Sequence, residues 1–328
     1  MRDNNLAPNF LYFFKKGNFF MFNGKKVAVL CGGDGKEREV SLRSGKAVCD
    51  ALNEGKIFNA ELIDLHSMKE IDCVKNFDGV FIAMHGEWGE GGILQEALEK
   101  MKMPFTGSGS TASALGMNKI KACELFKRAD IKIPDGLVWR GDCEEIFSKL
   151  GRDIVVKPSE GGSTVGVTII KDATPEKILE AVKIAEENYA GEVLIEKYIA
   201  GREITAAVWE HEGAIKALPL IEIVPHYGFY DYTNKYTKGA TEYLVPAKLD
   251  DETAKIISET AVKAHEVLGC SGYSRADFRL APDGTAYILE VNTAPGMTAT
   301  SLVPKAAAAV GVSMPMFVSE IMKMAGKI

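Results

Sequence analysis

The stretch that most limits what this chain can fold into is VVKPSEGGSTVGVT, residues 155–168. A β-branched run ends in Lys157, a loop with three glycines follows, and GVTIIK then reads as a second strand. A P-loop places its lysine after the glycines and hands over to a helix. Here the lysine comes first and the loop joins two strands, so a P-loop is excluded. A lysine directly behind an apolar run needs an anion, because lysine is almost never fully buried unless paired. The fold must therefore hang a glycine-rich loop between two strands.

The flanking pattern shows where such a flap can sit. From Lys25 onward KKVAVLC reads as a buried strand, followed by a glycine-rich turn and a helix from about Ser41 to Leu52, closed by Gly55. AELIDL and DGVFIAMHG read as further strands and ILQEALEKMK as a helix. Strands alternating with helices imply parallel βαβ units, a Rossmann-like half ending near PFTGSG at 104–109. A helical stretch SALGMNKIKACELFKRADI follows, then IPDGLVW, a short helix and the flap. ATPEKILEAVKIAEENY is a helix entered through Thr174 as N-cap and Pro175 at its first position. EVLIEKYI, REITAAVWEH and AIKALPLIEIV read as strands. The aperiodic HYGFYDYTNKYTKGATEYLVPA is long enough to be a lid, and its five tyrosines separate it from disordered tethers, which are aromatic-poor. DETAKIISETAVKAHEVLG sets apolar positions 257, 261, 264 and 268 on one helical face, ahead of a hairpin and a last helix.

Composition narrows the function. With 328 residues the chain suits two or three domains, and its net charge of −6 lacks the basic face of a nucleic-acid binder. Six scattered cysteines with only five histidines give neither a disulfide framework nor a zinc spacing, so reduced thiols are expected. The aromatic-rich opening MRDNNLAPNFLYFFKKGNFFMFNG is broken by Lys15, Lys16 and Gly17 and falls short of the ~20 apolar residues of a membrane helix. No small-residue cleavage site follows it. Met21, just before the first strand, is the expected translation start, leaving residues 1–20 as a leader without catalytic use.

The richest segment is YSRADFRLAPDGTAYILEVNTAPG. Arg275, Asp277 and Arg279 share one strand face, and Glu290 and Asn292 share one face of the next. If the hairpin closes with a two- or four-residue loop, Asp277 lies opposite Glu290 and Arg275 opposite Asn292. A three-residue loop with a bulge at Gly284 slips the pairing by one and scatters them. If they converge, two carboxylates and an amide oxygen suit Mg²⁺, whereas two adjacent carboxylates without a cation repel. Solvated charges on an exposed hairpin are the plainer reading. The turn Val291–Gly296 running into Ser301 and a helix offers backbone N–H groups to an anion, or is an ordinary helix cap.

Together these segments resemble the D-alanine–D-alanine ligase family of the ATP-grasp superfamily. The blocks that carry the resemblance are GGDGKEREVSLRSG (32–45), HGEWGEGGILQ (85–95), TGSGSTASALGMNK (106–119), KPSEGGSTVG (157–166), EKYIAGRE (196–203), YDYTNKY (230–236) and RADF…LEVNTAPGM…SLVP. The resemblance implies an α/β fold, α+β in its ATP-binding part. A Rossmann-like substrate domain would span 21–107, a central subdomain with the flap 108–195, and a C-terminal subdomain with metal site and lid 196–328. Lys119 and Lys157 would contact the phosphates of ATP, with Ser163 on the flap above them. Glu196, Lys197 and the Ile199 backbone would recognise adenine, and Glu203 the ribose. Asp277, Glu290 and Asn292 would hold two Mg²⁺, with Mn²⁺ able to substitute, and Lys235 on the lid would reach the γ-phosphate. Glu37 would bind the first substrate's ammonium with His85 nearby, while Ser163 and Tyr236 link flap and lid. Glu90 would touch substrate or anchor its neighbours. Arg275 and the Gly296 N–H would form the oxyanion hole, and Ser301 with the Leu302 N–H would take the second carboxylate.

By position alone Glu37, in the charged turn GKERE, also reads as a solvated acid, the commoner state of a loop carboxylate. Two positions depart from the family pattern: Gly91, where Asp or Asn is usual, and Arg279, where an apolar residue is usual. The activity implied is ligation of two D-alanines through an acyl phosphate for peptidoglycan, in the cytoplasm, by a homodimer with no nucleic-acid or membrane partner. Tyr236 favours an amine nucleophile, since a neutral phenol does not repel an ammonium as a protonated imidazole would. A D-lactate-accepting or other ATP-grasp carboxylate–amine ligase is the nearest competing reading. An oxidoreductase fails because GGDGKE is not G-x-G-x-x-G. A non-catalytic nucleotide binder would have lost some of Lys157, Arg275, Asp277, Glu290 and Asn292, and all five are present.

Overall fold

Three sheets carry the strands of the computed structural model, which describes residues 24–35, 37–226, 237 and 239–325. The expected leader 1–20 and the expected lid residues Lys235 and Tyr236 lie outside the described residues. The first sheet is parallel, in the order β2 (Phe58–Leu65), β1 (Lys25–Gly32), β3 (Gly79–Ile82). It is the expected βαβ unit, with helix Arg38–Glu54 as its first crossover. The strand expected through His85 stops at Ile82, because His85 begins the short helix Gly86–Glu90.

The second sheet is antiparallel, in the order β4 (Gly136–Val138), β7 (Val193–Lys197), β5 (Ile154–Pro158), β6 (Thr168–Ile170). The glycine loop joins β5 to β6, which are direct neighbours. β7 runs through the expected subdomain boundary at 195/196, so the chain leaves this sheet only after Lys197.

The third sheet is also antiparallel, built from β8 (Arg202–His211), β9 (Ala214–Ala217), β10 (Ile221–Pro225), β11 (Thr241–Leu244), β12 (Tyr273–Leu280) and β13 (Ala286–Asn292). Its central strand β8 is buried on both faces, as the unbroken run from Ile204 to Trp209 requires. One face packs Ile204, Ala206, Val208 and Phe278 under helices Lys119–Arg128 and Asp251–Leu268. The four periodic positions 257, 261, 264 and 268 of the second helix are all buried there. On the other face Ala207, Trp209 and Tyr273 pack against Val48, Leu52 and the C-terminal helices. Side chains alternate along a strand, so Glu203, Arg275, Asp277 and Arg279 continue that face beyond the packed region and line a cleft, with Thr205 buried among them.

Two helical expectations are corrected. The stretch 110–128 is two helices, Ser110–Met117 and Lys119–Arg128, because Asn118 is extended (φ −90°, ψ 100°) and its side chain caps the second by accepting from the Lys121 N–H. The single last helix is likewise two, Leu302–Ala309 and Met314–Met324. Gly311 takes a positive φ between them, and the Ser313 hydroxyl accepts from the Met316 N–H. Among the described residues no single helix is long and apolar enough to cross a membrane.

Candidate active site

The hairpin that decides the site closes by a route its turn chemistry does not announce. Ala281 and Thr285 pair across Pro282-Asp283-Gly284, with Gly284 at φ +86°, so the loop has three residues and the adjacent pairs are slipped by one: Leu280 with Ala286, Phe278 with Ile288. That is the loop expected to scatter the charges. A β-bulge at Leu289 inserts one residue and restores the pairing, setting Asp277 opposite Glu290 and Arg275 opposite Asn292. Two bulge residues oppose one partner, which is why neighbours Leu289 and Glu290 both line the same cavity.

The four side chains therefore converge. Arg275 donates to both Asp277 oxygens (Nε–Oδ1 2.9 Å, Nη2–Oδ2 2.7 Å), and Thr205 Oγ1 donates to Oδ1 at 2.5 Å. Asn292 Oδ1 accepts from the Ala294 N–H at 3.0 Å, tying the following turn. Lys119 Nζ lies 3.9 Å from Glu290 Oε2. The set suits a hard cation that borrows further ligands from a substrate. It offers two carboxylates and an amide oxygen, the partial shell that Mg²⁺ completes with water and phosphate oxygens. Among the described residues no group of three or more His, Cys, Asp or Glu makes a self-sufficient metal cage.

Lys119 and Lys157 enter from the opposite wall. Lys157 is buried on β5, and its anion is Glu196 on neighbouring β7, at 2.7 Å. Burial pushes the Lys157 ammonium down, but attraction and hydrogen bonding from Glu196 outweigh it and hold its pKa above the ordinary value. Lys119, buried at the start of its helix, donates to the flap carbonyl of Gly161 at 2.6 Å. Asn118 reaches Glu160 on the same flap at 2.9 Å. The flap rests on Tyr189. At Gly161 (φ +103°) any Cβ would collide with that ring, so only glycine seats the loop there.

The tip of the flap meets the N-terminal layer. Ser163, in a left-handed conformation at φ +52°, donates to the Glu37 carboxylate. Glu37 is buried at the entry of helix Arg38–Glu54, which overturns its reading as a solvated acid. Buried Glu90 lies beside it, and its pKa is raised by desolvation, opposed by the His85 hydrogen bond and reinforced by the Glu37 charge. His85 Nδ1 faces two acceptors, Glu90 Oε1 and the Ala294 carbonyl, both at 3.2 Å, so Nδ1 carries a proton. Its Nε2 lies 2.9 Å from the Ser44 hydroxyl, which also accepts from the Met297 N–H. At Gly91 a Cβ would collide with the Glu87 carbonyl oxygen, so this turn is closed to the Asp or Asn usual there.

Ser301 begins helix Leu302–Ala309 without a side-chain cap; its hydroxyl instead accepts from the Thr298 N–H at 3.0 Å. Ser301 is thus the N-cap by position but not by its side chain, and Gly296, Ser301 and Leu302 line one cavity at this helix start.

All the expected site residues within the described range line one of two cavities. A cavity of about 350 Å³ takes Glu37, His85, Glu90, Ser163, Arg275, Asn292, Gly296, Ser301 and Leu302. A narrower one of about 150 Å³ takes Lys157, Glu196, Lys197, Ile199, Glu203 and Asp277. The two share Lys119, Gly161, Gly162 and Glu290. Three residues at the site went unread in the sequence. Ser44 orients His85, and its signal was a serine three residues after Ser41 on one helical face. Thr205 braces Asp277 and Tyr189 seats the flap, but neither can be found without strand register and packing.

A glycine flap between two strands of one antiparallel sheet, over a cleft floored by a cation-fitted hairpin of a second and fronted by a parallel layer, defines an ATP-grasp ligase. A family model described as the D-ala D-ala ligase C-terminus matches residues 112–323. The D-alanine–D-alanine ligase of Anaeromyxobacter sp. (strain Fw109-5) is 45% identical over 305 residues, covering 90% of this chain and 94% of that protein. That of Halalkalibacterium halodurans is 42% identical, covering 88% and 95%. The crystal structure of the D-alanine–D-alanine ligase from Bacillus anthracis complexed with ATP is similar at a TM-score of 0.81 and 31% identity, covering 93% and 98%. The VanG D-Ala:D-Ser ligase from Enterococcus faecalis is similar at 0.78 and 31%, covering 92% and 99%. The chain belongs to the D-alanine–D-alanine ligase family.

Proposed function

We propose that the chain ligates two D-alanine molecules at the expense of ATP, giving D-alanyl-D-alanine, ADP and phosphate. The observation that carries this reading is the junction of the two cavities at Lys119, Gly161, Gly162 and Glu290. A nucleotide in the narrower cavity, held by Glu196, Lys197, the Ile199 backbone, Glu203 and Lys157, would present its terminal phosphate where the wider cavity begins. A D-alanine whose ammonium meets Glu37, with His85 and Glu90 behind it, would bring its carboxylate to the same point. Phosphoryl transfer there gives an acyl phosphate, and Lys119 and Lys157 offset the charge gathering on the transferred group.

The second D-alanine, its carboxylate on Ser301 and the Leu302 N–H, would then attack that carbonyl with its amine and expel phosphate. Arg275 and the Gly296 N–H would stabilise the tetrahedral oxyanion. Asp277, Glu290 and Asn292 would hold Mg²⁺ or Mn²⁺, which when bound neutralises phosphate charge. Ser163 bound to Glu37 closes the flap over the reacting atoms, as a water-sensitive acyl phosphate requires. Lys235 and Tyr236 remain the proposed lid contacts to the γ-phosphate and the flap. The reaction's use of ATP and its dipeptide product suit the bacterial cytoplasm and peptidoglycan synthesis, and the homodimer remains part of the proposal.

The likeness to a D-Ala:D-Ser ligase favours one competing reading, a different second substrate at the Ser301 end. The test is phosphate release from Mg²⁺-ATP with D-alanine, L-alanine, D-serine, or D-alanine plus D-lactate, each product identified by mass. Dipeptide from D-alanine alone is expected. Release only with D-serine or D-lactate present would overturn the substrate, and no release in any mixture would overturn the activity.

A further inference from the structure

Arg279 has three partners in the structure, all at the narrower cavity. It lies directly opposite Glu203 in the β8–β12 register, on the face that lines the narrower cavity. Its Nε donates to the Ile199 carbonyl at 3.2 Å, its Nη2 to the Tyr198 hydroxyl at 3.3 Å, and its Nη1 to Glu203 Oε2 at 3.4 Å. Both ion-pair partners are largely enclosed, at 19% and 17% exposure. The Tyr198 ring is fixed from its other contact by Lys171, whose Nζ sits 3.4 Å from the ring centroid.

These partners belong to different parts of the cavity. Tyr198 and Ile199 follow β7 and form the segment that crosses from the flap sheet to the third sheet, whereas Glu203 already lies on β8. A planar guanidinium with five fixed donors can span such acceptors, and neither an ammonium nor a thioether can.

We infer that Arg279 is a nucleotide-positioning residue. It ties the base-facing backbone at Tyr198–Ile199 to the sugar-facing carboxylate Glu203, so that the base and ribose contacts are set as one unit. This rests on the reading that the narrower cavity takes ATP. A structural brace alone would change stability; a positioning residue changes how ATP is bound and how its ribose is discriminated.

The test compares Arg279→Met, the apolar state, with Arg279→Lys, which keeps the charge but loses the fork. In both, the KM for ATP is expected to rise about 10- to 100-fold, the scale of one charge-assisted hydrogen bond. The KM for D-alanine and kcat should stay within about twofold, and the unfolding midpoint within a few degrees, since Arg279 lines the cavity and not the apolar core. The preference for ATP over 2′-deoxy-ATP should shrink in both variants, because Glu203 loses its orientation. Binding of a non-hydrolysable ATP analogue, measured by calorimetry, should weaken in parallel. An unchanged KM for ATP, full rescue by lysine, or an unchanged deoxy-ATP preference would overturn the inference. Failure of the unaltered protein to bind the analogue would instead overturn the underlying nucleotide reading.

Discussion

Lys157 Nζ stands 2.7 Å from the Glu196 carboxylate, and neither side chain is more than 8% exposed. A buried pair of this kind is costly to break from one side, because the survivor is left as an uncompensated charge. Glu196→Ala is expected to destabilise the protein by about 3–5 kcal/mol, and Lys157→Met similarly. The double substitution Lys157→Met with Glu196→Leu should cost clearly less than the sum of the two. The folded pKa of Lys157 is raised above the ordinary 10.5, so the pair's contribution is complete below that pH and is lost as pH rises through the folded value. Urea unfolding of the three variants at pH 7 and of the unaltered protein up to pH 11 measures both effects. Additive singles, or a loss of the contribution between pH 7 and 9, would refute the account.

The Ser163–Glu37 bond joins flap and N-terminal layer across 126 residues of sequence, and under the proposed function it would couple flap closure to the first substrate's site. Ser163→Ala should lower kcat/KM for D-alanine about 10- to 100-fold, the scale of a lost hydrogen bond to a charged group, and leave the KM for ATP within about threefold. Ser163→Gly relieves the left-handed backbone yet also lacks the hydroxyl. If the hydroxyl is what matters, the two variants lose activity alike; a glycine variant with near-normal rates would assign the effect to the backbone.

What the sequence made legible was local. The face formed by Ile257, Ala261, Ala264 and Leu268 follows from a 3.6-residue period and is buried as expected, and the strand-to-strand setting of the flap follows from residue types on either side of it. The cation-fitted hairpin was legible only as a condition. Pro282-Asp283-Gly284 alone specifies a slipped register, and what cancels the slip is a bulge at Leu289 that no turn residue announces. The anion for Lys157 lies 39 residues on, and its identity depends on the β5–β7 register. Glu37 looked solvated because its cover, the flap tip, arrives from a distant segment. Arg279's partners required the β8–β12 pairing for the same reason. The family resemblance supplied roles that no local pattern could.

Glu90 is a buried carboxyl whose pKa is raised by desolvation and by the neighbouring Glu37 charge, despite the His85 hydrogen bond. A raised carboxyl favours the fold fully only below its unfolded pKa, near 4.5, and that contribution is lost as pH rises through the folded value. At pH 7 the folded state thus bears a cost that a neutral isostere avoids. Glu90→Gln should raise the unfolding midpoint at pH 7 by about 2–4 °C, and the advantage should vanish as the pH falls below about 4.5. Calorimetric scans between pH 4 and 8 check this. A midpoint lowered at pH 7 would mean that the His85 contact outweighs the desolvation.

Glu290 lies where the two cavities join, opposite Asp277 and 3.9 Å from Lys119. If it is a cation ligand, Glu290→Gln removes a charge without removing an oxygen donor, so the site should weaken rather than vanish. The Mg²⁺ concentration for half-maximal rate is expected to rise at least about tenfold, the scale of a charged ligand contact, with kcat recovering in part at saturating metal. EDTA should abolish ADP formation by the unaltered protein, and Mg²⁺ or Mn²⁺, both hard cations that accept oxygen ligands, should restore it. Substituting Asn292 by Ala should shift the same Mg²⁺ curve less, since it removes a neutral donor. The Ala variant also frees the Ala294 N–H, so its unfolding midpoint must be compared alongside. A Mg²⁺ curve unmoved in Glu290→Gln would assign that carboxylate to Lys119 alone and leave Asp277 as the remaining charged candidate ligand.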